Sequence, residues 1–264
     1  MSSHVFIAEP GLVAMARVGS TLVLAGAEGR HAATVARVRR GEVIEVVDGQ
    51  GTRLRATVLD LGRDEVAFEV RQIEVEPEPS PLFVVVQALP KGEHADLAVD
   101  QLTQAGADRI VPWAAANCVV RWDDERARKG QVRWQQAATQ AAKQSRRSRV
   151  PSVDPLTRTP AIESAIREAD LAIVLHEGAD QPLAEVTLPV AGTVLVVVGP
   201  EGGLDPTERA ALVAAGAREV RLGHAVLRTS LAGATALAVL SGQGRWRSGS
   251  GTNAQIRAME GWPT

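Results

Sequence analysis

The sequence predicts an α/β fold: a mostly parallel sheet covered by helices on both faces, preceded by a small β-rich module. Three observations lead there. From Leu82 onward, short apolar runs alternate with helix-like segments, the pattern of strands joined by crossover helices. Before that point, apolar runs follow one another with turn residues between them and one short helical insert. Between the two regimes lies EVEPEPSP, Glu74 to Pro81, an acidic, proline-rich stretch that reads as a stiff linker. The expected organisation is a first domain over residues 1–73, a linker at 74–81, a larger domain at 82–242 and a flexible tail at 243–264, where SGQG and SGSG occur.

In the first module, TLVLA from Thr21, EVIEVVD from Glu42, RLRATVLDL from Arg53 and EVAFEV from Glu65 are the strands. Asp48-Gly49 between the second and third is a hairpin signal, because glycine supplies the positive φ of a tight turn. The insert EGRHAATVARVRR has helical spacing through Val35 and Val38 and ends in basic residues. In the larger domain LFVVVQAL from Leu82 precedes a helix near Gly92 to Ala105, then RIVPW from Arg109 and a long helical stretch from Arg126 to Ser145. A helix near Ala161 to Ala169 leads into LAIVL from Leu171 and TVLVVVG from Thr193. A helix from Pro206, the strand EVRL from Glu219 and a last helix within Leu227 to Leu240 complete the series. Asp205, Pro206 and Glu208 read as N-cap, first-turn proline and capping-box partner.

A chain of 264 residues holds one large domain or two modest ones. With no Tyr and 3% aromatic residues, the core has to be built from Val, Leu, Ile and Ala. A single cysteine, Cys118, excludes an internal disulfide and a multi-cysteine metal site and fits a reducing cytoplasm. The start, MSSHVFIAEPGL, has no basic leader, and no run is long enough to span a bilayer, so the expectation is a cytoplasmic protein without a membrane partner. The net charge of -2 hides a local excess: Arg121 to Arg149 carries nine Lys or Arg against three acids. A second basic group lies at Arg37, Arg39 and Arg40. Such runs are either a solvated helix face or a surface for phosphates.

The chemistry concentrates between strand and helix at Gly199-Pro200-Glu201-Gly202-Gly203. Glycines there let a backbone turn sharply and approach a ligand closely. A Walker loop requires a Lys and a hydroxyl residue after the last glycine, and neither follows Gly203. The dinucleotide fingerprint is also missing, and Glu201 would repel a pyrophosphate. The loop suits a neutral or cationic ligand, or is simply a tight turn. Two other strand ends bear on the choice: Leu175-His176-Glu177, and VRLGHAVLRTSLAGATAL from Val220, which passes through a glycine into a helix. Three such ends can converge on one pocket.

At these residues the chain resembles the SPOUT methyltransferases, and within them the RsmE group, which methylates N3 of a uridine in 16S ribosomal RNA. The resemblance rests on Gly199 to Gly203 and on Leu222-Gly223 followed by Val226, Leu227, Arg228 and Thr229. It extends to LPKGEH from Leu89, QAGAD from Gln104, QSRRSRVP from Gln144 and, in the first module, His31, Val35 and Arg37. It implies a small N-terminal PUA-like β-barrel that binds RNA and a C-terminal sheet tied in a deep trefoil knot, an exception to the usual unknotted rule. It implies a homodimer acting on the small ribosomal subunit, with S-adenosyl-L-methionine as cofactor and no metal. The implied cofactor residues are Leu175, His176, Glu177, Gly199, Pro200, Glu201, Gly202, Gly203, Leu222, Gly223, Val226, Leu227, Thr229 and Ser230. The implied RNA contacts are Arg37, Arg39, Arg40, Lys91, Arg146, Arg147 and Arg149.

Arg228 is the catalytic candidate. A cation at a helix start is mildly unfavourable, which points to another use for it. Relatives often carry Glu where this chain has Ser230, and Lys and Glu where it has Gln101 and Gln104, so no carboxylate base is assigned at Ser230. His31, His176 and His224 are either bases or polar contacts, and Cys118 reads as a small buried hydrophobe. Two other functions fit the same residues: a non-catalytic RNA-binding or ribosome-assembly factor, and a SPOUT enzyme acting on tRNA or another ribosomal base. Methyl transfer onto small-subunit RNA separates all three.

Overall fold

A computed structural model of the chain describes residues 4–92 and 94–246, so most of the tail expected at 243–264 lies outside the described residues. The chain divides into two compact units. One comprises residues up to Glu78 together with Thr139–Val150, the other Pro79–Ala138 and Pro151 onward.

The first unit contains β1 (Val5–Ile7), α1 (Pro10–Ala14), β2 (Thr21–Leu24), α2 (Gly26–Arg30), β3 (Val43–Val47), β4 (Thr52–Leu61) and β5 (Val66–Val75). α2 runs on through a π-helical turn at His31–Val35. The sheet order is β1-β3-β4-β5-β2, antiparallel except where β1 joins β3. Alternation decides which face turns inward: Leu54, Ala56 and Val58 of β4 and Val66, Phe68 and Val70 of β5 are all buried. Phe6, Leu24, Ala32 and Ile44 close the same core. Register shifts at Arg55/Ala56 and Val58/Asp60 bend the β4–β5 pair and curl the sheet. The Asp48-Gly49 turn forms as its sequence demands: Asp48 Oδ1 accepts from the Gln50 and Thr52 N–H groups at 2.7 and 2.9 Å, and Gly49 has φ +74°.

Residues 139–150 join this unit although they lie far along the chain. Gly51 N–H donates to Ser148 O, and Val150 N–H donates to Gly49 O. The Lys143 ammonium sits 2.7 Å from Glu28, and buried Arg53 pairs with Glu45 while donating to Arg146 O at 2.9 Å. A division by linear order alone assigns this segment to the larger domain. The start of the stretch read as a linker is also sheet, because β5 reaches Val75 and Glu76 N–H donates to Gly51 O.

The second unit contains β6 (Leu82–Ala88), α3 (His94–Gln104), β7 (Arg109–Trp113), α4 (Asp124–Gln144, its last turns in the first unit), β8 (Ser152–Val153) and α5 (Thr159–Glu168). It continues through β9 (Leu171–Leu175), β10 (Thr193–Val198), α6 (Pro206–Ala214), β11 (Arg218–Val220) and α7 (Thr229–Gln243). The sheet order is β11-β9-β10-β6-β7-β8 and every pairing is parallel. β10 and β6 lie side by side at the centre, Val194 opposite Phe83 and Val196 opposite Val85. With both faces covered, they are apolar almost throughout. α7 packs on α3 and on β10. Gly233 permits that approach, since a Cβ there would stand 2.7 Å from Leu102 Cδ2 and 3.2 Å from Val198 Cγ2.

Asp205 caps α6 by accepting from the Thr207 and Glu208 N–H groups. The Glu208 carboxylate does not serve as a capping-box partner. It accepts instead from Ala116 N–H at 2.9 Å and the Thr159 hydroxyl at 2.6 Å, tying α6 to the loop after β7 and to the start of α5.

Candidate active site

Because every strand of the second unit runs the same way, the segments leaving their carboxyl ends share one edge of the sheet. Three of those segments enclose a cavity of about 520 Å³, within the usual range for small-molecule sites. β9 contributes Leu175, His176 and Glu177, and β10 leads into Gly199, Pro200, Glu201, Gly202 and Gly203. The segment after β11 adds Leu222, Gly223, Val226, Leu227, Arg228 and Thr229. Val198, Leu204, Ala225 and Ala232 complete the wall; they are ordinary apolar residues that no motif marks. Ser230 is not on the wall; it is buried in the first turn of α7.

The glycine loop has two different faces. Gly203 sits at φ +75° and its N–H donates to Pro200 O at 3.0 Å, which closes the turn. Its neighbour Gly202 is not left-handed; the constraint there is steric. A Cβ on Gly202 would lie 3.1 Å from Asn117 O, and Asn117 Nδ2 donates to Gly203 O at 3.2 Å. A Cβ on Gly203 or Gly223 would meet nothing within 4 Å. The loop is packed against Asn117 on one side and open on the other.

Glu201 Oε1 accepts from Lys91 N–H at 3.2 Å, so a wall residue also holds the segment Pro90–Gly92. His176 Nδ1 accepts from Gly178 N–H, and its Nε2 faces Arg209, which pairs with Glu219. His224 is exposed and off the wall, while His31 lies in the first unit with its ring edge-on to Phe6. Cys118 is buried, and that burial pushes its thiol above the usual range, as befits a packing residue. Among the described residues no cluster of three or more His, Cys, Asp or Glu side chains is arranged to hold a metal ion. Arg228 is the N-cap of α7 in extended conformation, φ −62° and ψ 147°. Its carbonyl accepts from the Leu231 and Ala232 N–H groups, while its exposed side chain makes no cap.

The basic residues separate into two kinds. Arg37, Arg39, Arg40 and Arg146 are exposed on the first unit, and Lys91 is exposed on the second. Arg37 and Arg146 adopt φ +52° and +56°, the two non-glycine residues at positive φ among those described. Arg147 and Arg149 are half-buried. Arg149 is turned inward: it donates to Glu76 O at 2.8 Å and lies against Gly51.

A curled, mostly antiparallel sheet is followed by a parallel α/β unit with a glycine-lined cavity, and comparison with known proteins identifies the class. The RNA methyltransferase domain model matches residues 76–241 and the RNA methyltransferase PUA domain model matches 24–71. The chain is 45% identical over 223 residues to the ribosomal RNA small subunit methyltransferase E of Mycobacterium tuberculosis, covering 83% of this chain and 85% of that one. It is 29% identical to the Bacillus subtilis protein of the same name, covering 84% and 90%. The crystal structure of the Neisseria gonorrhoeae methyltransferase E bound to S-adenosyl methionine superposes with TM-score 0.80 at 26% identity, covering 92% of this chain and 98% of that one. The chain belongs to the RNA methyltransferase family, in the group of the small-subunit methyltransferase E proteins.

The two kinds of arginine respond differently to truncation. Arg149→Ala leaves the half-buried carbonyl of Glu76 without its charged donor and is expected to cost about 1 kcal/mol. Arg146→Ala, at an exposed side chain, is expected to stay within about 0.5 kcal/mol of the parent. Urea unfolding of both variants tests this; equal stabilities would contradict an anchoring role for Arg149.

Proposed function

We propose that this protein transfers a methyl group from S-adenosylmethionine to N3 of a uridine in the 16S ribosomal RNA of the small subunit. The observation that carries the proposal is the cavity built by three parallel strand ends, with Arg228 on its wall, in a chain of the RNA methyltransferase family. The residues present suit that cofactor. Gly203 and Gly223 leave open space where side chains would otherwise stand, so backbone polar groups can meet the edges of an adenine. Leu175, Leu222 and Leu227 supply apolar wall, and Glu177 and Glu201 supply negative charge suited to a cationic ligand.

When bound, the cofactor's sulfonium supplies the leaving-group chemistry. The chain's own task is to align the uracil with the methyl and to stabilise the charge that appears on the base. As N3 gives up its proton to solvent water, negative charge spreads onto the flanking carbonyl oxygens. Arg228 offers several N–H donors in a fixed plane, stays protonated and stands at the N-cap position of α7 with its side chain uncommitted to the cap, which fits it to receive that charge. In this reading the segments after β9, β10 and β11, with α7, form the knotted part of the chain; their meeting at one cavity supports it.

Arg37, Arg39, Arg40 and Arg146 are the RNA-phosphate contacts we favour, with Lys91 nearer the cavity through the bond to Glu201. Their exposure supports this choice, as does the PUA domain match over 24–71. A cytoplasmic, ribosome-directed role accompanies it, and no described helix is long and apolar enough to cross a membrane. The working form we propose is a homodimer. Val226 at 76%, Leu97 at 43% and Leu231 at 41% exposure leave apolar surface on the segment after β11 and on the packed helices α3 and α7.

Several measurements test these statements. Tritiated-methyl transfer onto small-subunit RNA should require the protein. Gly202→Val, which forces a branched side chain against Asn117, should lose S-adenosylmethionine binding in calorimetry while staying folded. Arg228→Ala should bind the cofactor normally and lose roughly 10²–10³ in kcat. Arg228→Lys should recover part of that loss, because one ammonium does not replace a planar fork. An Arg228→Ala enzyme with a parental single-turnover rate would make Arg228 a docking residue. Replacing Arg37, Arg39, Arg40 and Arg146 with Gln should flatten the salt dependence of RNA binding, by about 0.7 log unit for each single-strand phosphate that is no longer neutralised. An unaltered slope would mean a merely solvated surface. Sedimentation equilibrium should give the mass of two chains, and Leu231→Arg should shift it toward one; a parental protein that sediments as one chain would end the dimer reading.

A further inference from the structure

A second concave site lies on the larger unit and shares no wall residue with the cavity described above. Its volume is about 360 Å³, and it lies between the Pro90–Gly92 loop, the first turn of α3 and the face of α4 around Gly130. Its floor is aromatic. Trp134 is fully buried, and Trp122 meets it edge-on with ring centroids 5.7 Å apart at 74°. Trp122 is set in place by the backbone: its benzo edge rests on α4 at Gly130, where a Cβ would come within 2.4 Å of Cη2. Two indoles are therefore pre-positioned beside a half-open hollow.

The polar groups at this hollow are those a nucleotide uses. Asp96 Oδ2 accepts from Arg133 at 3.0 Å, which holds that guanidinium at the rim. Arg126, Lys129 and Arg133 stand at the rim with side chains 71%, 75% and 64% exposed. Their ion pairs with Asp123, Glu125 and Asp96 are water-exposed, so a phosphate can displace an acid at little cost. An apolar peptide or a second copy of the chain would use the indoles and leave the exposed cations unanswered. A nucleobase with its phosphates answers both.

We propose that this hollow binds one base of single-stranded RNA, stacked on Trp122, with phosphates against Arg126, Lys129 and Arg133. The inference rests on the RNA methyltransferase reading and adds a subsite to it. Lys91 lies between two residues of this rim and donates its N–H to Glu201 on the wall of the first cavity. A base held here therefore flanks the nucleotide presented to the methyl donor. Stacking tolerates any base, so the site adds affinity and register more than sequence choice.

The test uses the full chain with two probes, a short single-stranded oligouridylate and an abasic strand of equal length. Trp122→Ala should weaken binding of the oligouridylate roughly 5- to 150-fold, the span given by loss of one base–aromatic stack. It should leave the abasic strand and S-adenosylmethionine affinity unchanged. Gly130→Ala removes no RNA contact and suits a helix, yet its methyl displaces the indole, so it should weaken the same probe. A folded Trp122→Ala protein with parental oligouridylate affinity overturns the inference, as does an equal loss on both strands. A change in self-association without a change in RNA affinity also overturns it and identifies the hollow as a chain–chain surface. Parental protein that binds neither probe overturns both this site and the RNA reading. Trp122-dependent binding without methyl transfer leaves the site standing and removes only the proposed reaction.

Discussion

The constraint on which the second unit depends is the common direction of its six strands. β9, β10 and β11 all point their carboxyl ends to one edge, so three segments distant in sequence are delivered to one place. That direction is tolerated only because the sheet is covered on both sides. Val194 to Val198 are all nearly inaccessible, and α7 reaches β10 through the glycine at 233, which keeps the helix close enough to seal that face. Burial of β10 and the position of the loop after it are thus one feature: the strand that anchors the sheet's centre also carries the glycine loop.

Within that frame the loop is held from outside. Asn117 bonds to the Gly203 carbonyl and packs against Gly202, and Glu208 fastens the same neighbourhood by taking the Ala116 N–H. The inner face is left without side chains at Gly203 and Gly223. A backbone fixed on one side and bare on the other is preorganised for a ligand, since its polar groups lose little further freedom on binding. Glu201 couples the wall to a second loop through Lys91, so the first cavity and the rim of the hollow beside Trp122 share a hydrogen bond.

The sequence made much of this legible because the signals were local. The apolar runs at 171, 193 and 82 announced buried parallel strands, Asp205-Pro206 announced the start of α6, and Asp48-Gly49 announced its hairpin. What stayed hidden depends on partners distant in sequence. β1 is three residues long and exists by pairing with β3, and β8 is two residues long and exists by pairing with β7. Glu208 has the spacing of a capping box, yet its carboxylate finds better partners in other elements. Arg149 has the same side chain as Arg146 and a place three residues on, but only the fold shows that one is turned in toward Glu76. No spacing rule brings Trp122 against Gly130, because the contact joins a loop to the helix that follows it.

The first cavity carries charge of both signs, and in the proposed reaction the two act at different moments. Glu177 and Glu201 interact with a cationic ligand as soon as it arrives, so their effect belongs to binding. In that proposal Arg228 gains from the uracil itself only as the base loses its proton. It sits at the positive end of α7, where a further positive charge is unfavourable by roughly 0.3–1 kcal/mol, and it makes no cap in return. That cost is tolerated because α7 is anchored by its own packing: Ala236, Leu237 and Leu240 are inaccessible and do not depend on its first residue. In the proposed reaction such a cation gains a further interaction as negative charge develops on the base. This is the electrostatic condition for lowering a barrier without merely tightening the ground state.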